Sequence, residues 1–244
     1  MSKWLTVFAF AGIVWATDPR AQFDRLKSEG RSALKAEDWT AAESRYQQLM
    51  QLAAMVQPTI TEMYAEVVSP LAEVYKATGD MEKLEHLYQR RVEESHEGLE
   101  RGLSQADLGF FYQSSDFASA DRFNGERLVE DAVKTFDSCA ANKTEGDQCR
   151  RRLADTTGIQ GALFFQNLEY KRAEPLFRRV VTTPDNIVQD EVMLVSLHAL
   201  RGILLLQKEF DEAKQLELRA AAFEVAHPGA LARLKQEGNR TRSR

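Results

Sequence analysis

Apolar side chains recur every three or four positions along most of the chain, with charged side chains between them. The stretch GALFFQNLEYKRAEPLFRRVV, residues 161–181, shows the pattern, whereas the strict alternation typical of strands is sparse. A spacing of three and four places the apolar side chains on one face of an α-helix. Ala, Leu, Glu, Gln, Lys and Arg, which dominate the sequence, are also good helix formers. We therefore predict an all-α protein.

This stretch is one copy of an internal repeat. Its marker positions are Gly161, Phe164, Ala173, Phe177 and Val180, and the pair Glu169-Tyr170 forms a predicted turn between two helices. We expect Gly161 and Ala173 to face each other where the helices approach closely, and the two phenylalanines to fill the seam. The same offsets recur, fully or in part, at Gly30, Ala33, Ala42, Tyr46 and Leu49; at Ala72, Tyr75, Leu84, Tyr88 and Arg91; at Leu108, Phe111 and Ala120; and at Leu204, Ala213 and Ala220.

These copies resemble the tetratricopeptide repeat (TPR), in which two paired helices are kept close by small residues. Two segments, AEPLFRR at residues 173–179 and HPGALARL at residues 227–234, resemble the longer repeats of kinesin light chains. In the second segment a His-Pro step opens a further helix. The resemblance implies a right-handed solenoid of antiparallel helix pairs, with about five repeats plus an inserted helix.

The predicted repeats lie near residues 23–56, 65–98, 101–123, 154–184 and 194–226. Ala120 and Ala173 are 53 residues apart, well above the TPR period of about 34, so we place an insertion at residues 124–153. This insertion is expected to be a helix followed by a corner rather than a second domain. Residues 17–244 are thus predicted to form a single helical-repeat domain that ends in a basic tail at residues 231–244.

A repeat solenoid usually binds its partner along the surface that the first helix of each repeat lines. The TPR resemblance places the groove-facing positions three residues before, and one and four after, the first small residue. In the stretch at residues 161–181 and just before it, this face offers only Gly158, Ala162 and Phe165. The candidate binding residues in the other repeats are Lys27, Arg31, Glu73, Lys76, Gln105, Tyr112 and His198.

The first residues follow a different pattern. Met1-Ser2-Lys3 gives a positive start, and an uncharged apolar run from Trp4 to Ala16 follows it. This is the shape of a secretory signal peptide, so we predict a leader at residues 1–16 and an exported protein, periplasmic or secreted. A retained membrane anchor is the alternative, but the run is shorter than the roughly 20 residues that span a bilayer.

Cys139 and Cys149 flank the polar loop AANKTEGDQ. In an exported chain this pair most simply forms a structural disulfide. A redox pair would normally show Cys-x-x-Cys, and a zinc site would need two further ligands nearby, so both readings have less support.

Charge and motifs limit the possible functions further. A formal net charge of −5 argues against a general nucleic-acid partner. The four histidines are scattered, and no phosphate loop, dinucleotide fingerprint or nucleophile elbow occurs, so we expect no cofactor, no metal and no catalytic residues.

We therefore predict an exported, non-catalytic scaffold that binds a protein or peptide partner. Three alternatives remain open from the sequence: an enzyme on the same scaffold, a carbohydrate-binding accessory protein of the cell envelope, and an architectural subunit whose groove is filled by its own tail or by a second copy.

Overall fold

The structure is a computed structural model that describes residues 18–114 and 121–234. These residues form helices joined by short corners, with no β-strand among them, so the all-α prediction is confirmed. The predicted leader at residues 1–16 lies outside the described residues. The helices are α1 (Pro19–Lys35), α2 (Trp39–Val56), α3 (Ile60–Met63), α4 (Ser69–Thr78), α5 (Met81–Glu94), α6 (Leu99–Ser114), α7 (Arg122–Cys139), α8 (Gly146–Gln166), α9 (Tyr170–Val181), α10 (Asp190–Gln207) and α11 (Phe210–Ala226).

The chain divides into two compact units, residues 1–87 and residues 88–244, called here the N-terminal and C-terminal units. The single-domain boundary at residues 17–244 stays a prediction. A short helical stretch at residues 228–234 follows α11. Together with His227 it is called the C-terminal segment.

In the N-terminal unit, α1 and α2 form the first hairpin. A β-carbon added to Gly30 would lie 3.0 Å from the ring of Tyr46, so the glycine leaves room for a fully buried aromatic side chain. Asp38 ends the corner, and its carboxylate accepts a hydrogen bond from the Ala41 amide at 3.0 Å, which satisfies a free donor at the start of α2. The first predicted repeat thus folds as a helix pair.

The helical run from Ile60 to Thr78 contains one π-helical turn, Tyr64–Val68. Pro70 explains its position. Proline lacks an amide hydrogen and its ring clashes with the carbonyl four residues earlier, so the helix widens there instead of ending. The Ser69 amide accordingly donates to the Tyr64 carbonyl five residues back.

In the C-terminal unit, α8 pairs with α9 and α10 pairs with α11. Ala173 and Phe177 are fully buried, as the repeat pattern predicts. The closest neighbour of Gly161 across the hairpin is the Phe177 ring, at 3.0 Å from the position of an added β-carbon. Gly161 therefore provides space for an aromatic ring.

The third repeat differs from its prediction. Helix α7 lies inside the proposed insertion at residues 124–153, yet it packs along α6: a β-carbon on Gly102 would lie 2.4 Å from the Phe136 ring, and one on Gly109 would lie 2.7 Å from Val129. The second helix of this repeat is therefore α7. The predicted repeat at residues 101–123 is too short, and its marker Ala120 lies among residues 115–120, outside the described residues.

The extra length explains the error. Sixteen residues separate Gly30 from Tyr46, and sixteen separate Gly161 from Phe177, but 34 separate Gly102 from Phe136. The added residues lie at the end of α6, in the connection after it and at the start of α7. Three buried alanines, each four residues before an aromatic ring, complete the shared pattern: Ala42, Ala132 and Ala173.

The tight corners share one backbone conformation. A residue with positive φ is followed by an acidic residue that lies directly before the second helix of each pair. Only one of these corners uses glycine, which adopts positive φ without steric cost. The corners are Glu37-Asp38, Gly79-Asp80, Leu168-Glu169 and Lys208-Glu209, with φ values of 56°, 73°, 61° and 66° at the first residue.

Candidate binding groove

An apolar groove lies between α8 and α10 in the C-terminal unit. One cavity in it has a volume of about 340 Å³. Phe165 forms part of its wall, and its ring packs at 5.3 Å from the ring of Tyr170 and 6.2 Å from that of Phe177. The other apolar lining side chains are Ala162, Phe177, Leu194, Val195, Ala199, Leu231 and Leu234.

A second cavity, of about 410 Å³, adjoins the first and shares Ala162, Val195 and Leu234 with it. Gly158 also lines this cavity. A β-carbon there would lie 2.4 Å from the Val192 side chain. Glycine thus lets α8 and α10 approach closely. The predicted face of Gly158, Ala162 and Phe165 therefore lies along the groove.

The C-terminal segment covers one side of the groove. Leu231 and Leu234 pack against the core of the C-terminal unit, and Ala230 is fully buried. Arg233 forms an ion pair with Glu191 and a second with Asp190 at 3.3 Å. The two acidic residues lie in the first turn of α10, where negative charge is also favoured by the helix dipole.

His227 joins this segment to α11. Its ring stacks on Phe223 with a centroid distance of 4.2 Å, and its Nδ1 lies 3.1 Å from the Asp190 carboxylate. The segment is thus fixed at its start by one aromatic and one polar contact.

Among the predicted binding residues, His198 lines the groove. Its side chain is half exposed, and Nε2 lies 3.0 Å from the Glu224 carboxylate. Lys27 and Arg31 lie on α1 in the N-terminal unit and pair with Glu62 at 3.8 Å and with Glu66, respectively. Acidic side chains of the same chain thus already neutralise these two cations.

Glu73 and Lys76 are exposed on α4 of the N-terminal unit. In the C-terminal unit, Tyr112 is buried, and its hydroxyl accepts a hydrogen bond from the Gln89 amide at 3.0 Å. Gln105 is only 9% exposed and accepts a hydrogen bond from the Thr135 hydroxyl at 3.1 Å. Within the C-terminal unit, Gln105 and Tyr112 thus do not line the groove that His198 lines.

Gln105 instead lines a polar cleft of about 780 Å³ between α6 and α7. The Arg101 guanidinium extends along it and donates to the Val92 carbonyl at 2.8 Å. The cleft also adjoins the Cys139–Cys149 disulfide, which is present as predicted. Its remaining polar walls are Ser95, Glu97, Lys134, Thr135, Ser138, Asn142 and Glu145.

Asp155 is a buried carboxylate on α8, 4% exposed. Its Oδ1 accepts a hydrogen bond from the Gln189 amide at 3.1 Å, at the start of α10, while Oδ2 has no hydrogen-bond partner. Burial raises the pKa of this carboxyl above its usual value because the charged form is poorly solvated, and the Gln189 bond only partly opposes this shift. Asp155 thus fixes the start of the helix that lines the groove.

Sequence reasoning missed the acidic pair Asp190 and Glu191 and the role of Leu231 and Leu234. The available signal was the segment HPGALARL itself, which was assigned only as the opening of a further helix. Two leucines three residues apart lie on one face of a helix, and the arginine between them places a cation beside that face.

No group of three or more His, Cys, Asp or Glu side chains in residues 18–114 and 121–234 is placed to hold a metal ion. None of the helices in those ranges has both the length and the apolar character of a membrane-crossing segment.

Comparison with known proteins gave matches to solved structures only; protein-family models and curated proteins gave none. The chain is similar to the crystal structure of BtubC (BKLC) from P. vanneervenii, with a TM-score of 0.61 and 16% identity over 87% of this chain and 93% of that one. It also matches two crystal structures of the nearly identical TPR-like repeats of a candidate kinesin light chain from Podosopora anserina, one of them a point variant. For these the TM-scores are 0.47 and 0.45 and the identities 16% and 18%, over 86% of this chain and 98% and 97% of theirs.

The likeness to BtubC, at a TM-score of 0.61, agrees with the helix hairpins described above, so the predicted TPR-like fold is confirmed. At such low identities the likeness establishes the fold alone.

Proposed function

We propose that this protein is an exported, non-catalytic scaffold that binds a segment of a protein partner in the groove between α8 and α10. The observation that carries the proposal is the row of apolar side chains along that groove, with unfilled volume beside them. Contiguous apolar surface that is open to solvent is typical of protein-binding sites.

The shape and chemistry of the groove favour a helical ligand. Its walls are two helices, and its apolar side chains follow helical spacing on both, as at Ala162 and Phe165 on α8 and at Val192, Val195 and Ala199 on α10. An amphipathic helix laid into such a groove buries its apolar face without leaving backbone groups unsatisfied.

The proposed export depends on two features. The apolar run at residues 4–16 has the form of a leader, and the Cys139–Cys149 bridge is of the kind that persists in oxidising compartments. Fusing residues 1–30 to a reporter that is active only outside the cytoplasm tests this part. We expect activity that is lost when residues 4–16 are deleted; an inactive intact fusion would refute export.

The binding proposal is tested with peptides selected from a random library against the full chain. We compare Val195→Glu, in the groove, with Leu218→Glu, an exposed leucine on α11 outside it. A buried unpaired charge should weaken binding by about tenfold or more in the first variant, while the second binds like the unmodified chain.

Three outcomes would contradict the binding proposal. Selection could yield no peptide, or the selected peptides could bind the Val195→Glu variant as tightly as the unmodified chain. Binding could also fall equally in both variants while both remain folded, because the groove would then matter no more than the exposed position on α11. Circular dichroism of both variants separates a folding defect from a binding defect.

A second candidate function is binding of a small polar ligand in the cleft beside Gln105. The specific observation is that polar groups converge on a single volume of about 780 Å³. Native mass spectrometry of protein purified from its own host should then show a bound small molecule that Gln105→Leu removes and that Val195→Glu retains. A ligand-free spectrum would leave the groove as the sole candidate.

A further inference from the structure

The C-terminal segment contacts the groove in the manner of a short peptide ligand. Leu231 and Leu234 are three residues apart, so they project from one face of the helical stretch toward α8 and α10. Arg233 lies between them and reaches Asp190 and Glu191 at the start of α10. The chain itself therefore shows which chemistry this surface accepts: two aliphatic side chains one turn apart and a cation beside them.

The contact is small compared with those within the hairpins. Of the described residues 228–234, only Ala230 is buried, and Leu231 and Leu234 are half-buried. The Arg233 side chain is 53% exposed, and exposed ion pairs contribute little to stability. Apart from the His227 ring, two leucines and one buried alanine thus supply the apolar contacts of the segment with the C-terminal unit.

The segment also leaves the groove incompletely filled. Leu234 borders both cavities, whose volumes are about 340 and 410 Å³. Ala162 and Val195, which also border both, face this remaining space. A longer or bulkier helix could thus make the same contacts and additional ones.

We propose that the C-terminal segment is an internal competitor for this groove. The partner is an amphipathic helix that presents two aliphatic side chains one turn apart and a basic side chain between them to Asp190 and Glu191. This inference rests on the proposed binding function and specifies its ligand. A partner must displace the segment, so its apparent affinity is lower than its affinity for the open groove by the fraction of molecules that are open.

The test uses a fluorescent peptide of residues 227–238 and the full chain. In the release variant, Leu231→Asp with Leu234→Asp, the segment should leave the groove. The matched control is Ala232→Asp, an exposed position on the same segment. If about one molecule in ten is open in the unmodified chain, the peptide should bind the release variant about tenfold more tightly than the unmodified chain or the control.

Two further controls fix the site of binding. A peptide with both leucines replaced by aspartate should not bind, and Val195→Glu in the release variant should abolish binding of the original peptide. Absence of peptide binding to the release variant, or equal binding to all three proteins, overturns the proposal. If library-selected peptides still bind the groove in that case, the proposed function stands and this inference alone fails.

Hydrogen exchange on the unmodified chain covers the possibility that the release variant does not fold. Addition of a groove-selected peptide should accelerate amide exchange at residues 229–234, and unchanged exchange would overturn the proposal. Light scattering provides a final check. A concentration-dependent dimer that the release variant abolishes would mean that the segment occupies the groove of a second copy, which also overturns internal competition.

Discussion

The ring of Phe136 lies 2.4 Å from the position that a β-carbon on Gly102 would occupy, closer than side chains can pack. The equivalent distance from Gly161 to Phe177 is 3.0 Å. The same glycine-aromatic contact thus occurs in both hairpins. It is closer in the α6–α7 hairpin, although the chain that connects those two helices is much longer.

This difference predicts that an alanine destabilises the protein more at Gly102 than at Gly161. Gly102→Ala should lower the free energy of unfolding by about 1–3 kcal/mol, because the buried Phe136 ring must move. Gly161→Ala should change it by less than about 1 kcal/mol, because a slight ring shift is offset by the better helix propensity of alanine. Urea unfolding of both variants measures this. Equal effects would show that α6 and α7 do not pair as described.

The corner residue Leu168 gives a second prediction. Its φ of 61° is unfavourable for a side chain with a β-carbon, and its side chain is 71% exposed. Leu168→Gly should therefore raise the free energy of unfolding by about 0.5–1 kcal/mol. Gly79→Ala, at the equivalent corner with φ of 73°, should lower it by a similar amount.

The midpoints of thermal unfolding of the two corner variants, compared with that of the unmodified protein, test this prediction. A lower midpoint for Leu168→Gly would show that the leucine makes a contact that outweighs its backbone strain.

Asp155 gives a prediction about pH. Its pKa is raised in the folded state, so the folded protein holds this proton at pH values where the unfolded chain, with a carboxyl pKa near 3.8, has released it. The contribution of this carboxyl to stability is therefore most favourable below pH 3.8 and declines as the pH rises through the folded pKa.

Asp155→Asn removes the titration and keeps an oxygen for the Gln189 amide. The stability of this variant relative to the unmodified protein should increase from about pH 3.5 to pH 7. Urea unfolding at both pH values measures the difference. A difference that is independent of pH, or that falls as the pH rises, would contradict the raised pKa.

The disulfide gives a fourth prediction. Replacing Cys139 and Cys149 together by serine should lower the free energy of unfolding by about 2–3 kcal/mol, since the closed loop is short. The replacement should also loosen the corner that borders the polar cleft. Mass spectrometry of the purified protein without reduction supplies the control, and two free thiols there would refute the bridge.

The sequence predicted the features that depend on local spacing. The small and aromatic positions at Gly161, Ala173 and Phe177 follow from helical periodicity, and the cysteine pair follows from its polar loop. The register of the third repeat did not follow, because its markers Ala132 and Phe136 are displaced by eighteen residues. Without an alignment, such a displacement is indistinguishable from an insertion between repeats.

The candidate site was harder to predict because tertiary partners decide it. Lys27 and Arg31 lie at predicted binding positions, but their charges are met by Glu62 and Glu66 from a helical run whose geometry depends on Pro70. The contribution of Leu234 depends on the return of the chain to α8 and α10, which brings this side chain to the groove. The pairing of Lys27 and Arg31 with these acids has no local sequence signal, and the spacing of Leu231 and Leu234 indicates a helical face but not the helices that this face contacts.

The central claim is that the groove between α8 and α10 is the binding surface, and site-specific photocrosslinking tests it most directly. A benzophenone amino acid is placed at Val195 in one sample and at Leu218 in another, and a library-selected peptide is added to both. We expect covalent adducts from position 195 and none from position 218. Adducts from position 218 alone, or from neither position while the peptide still binds, would contradict it.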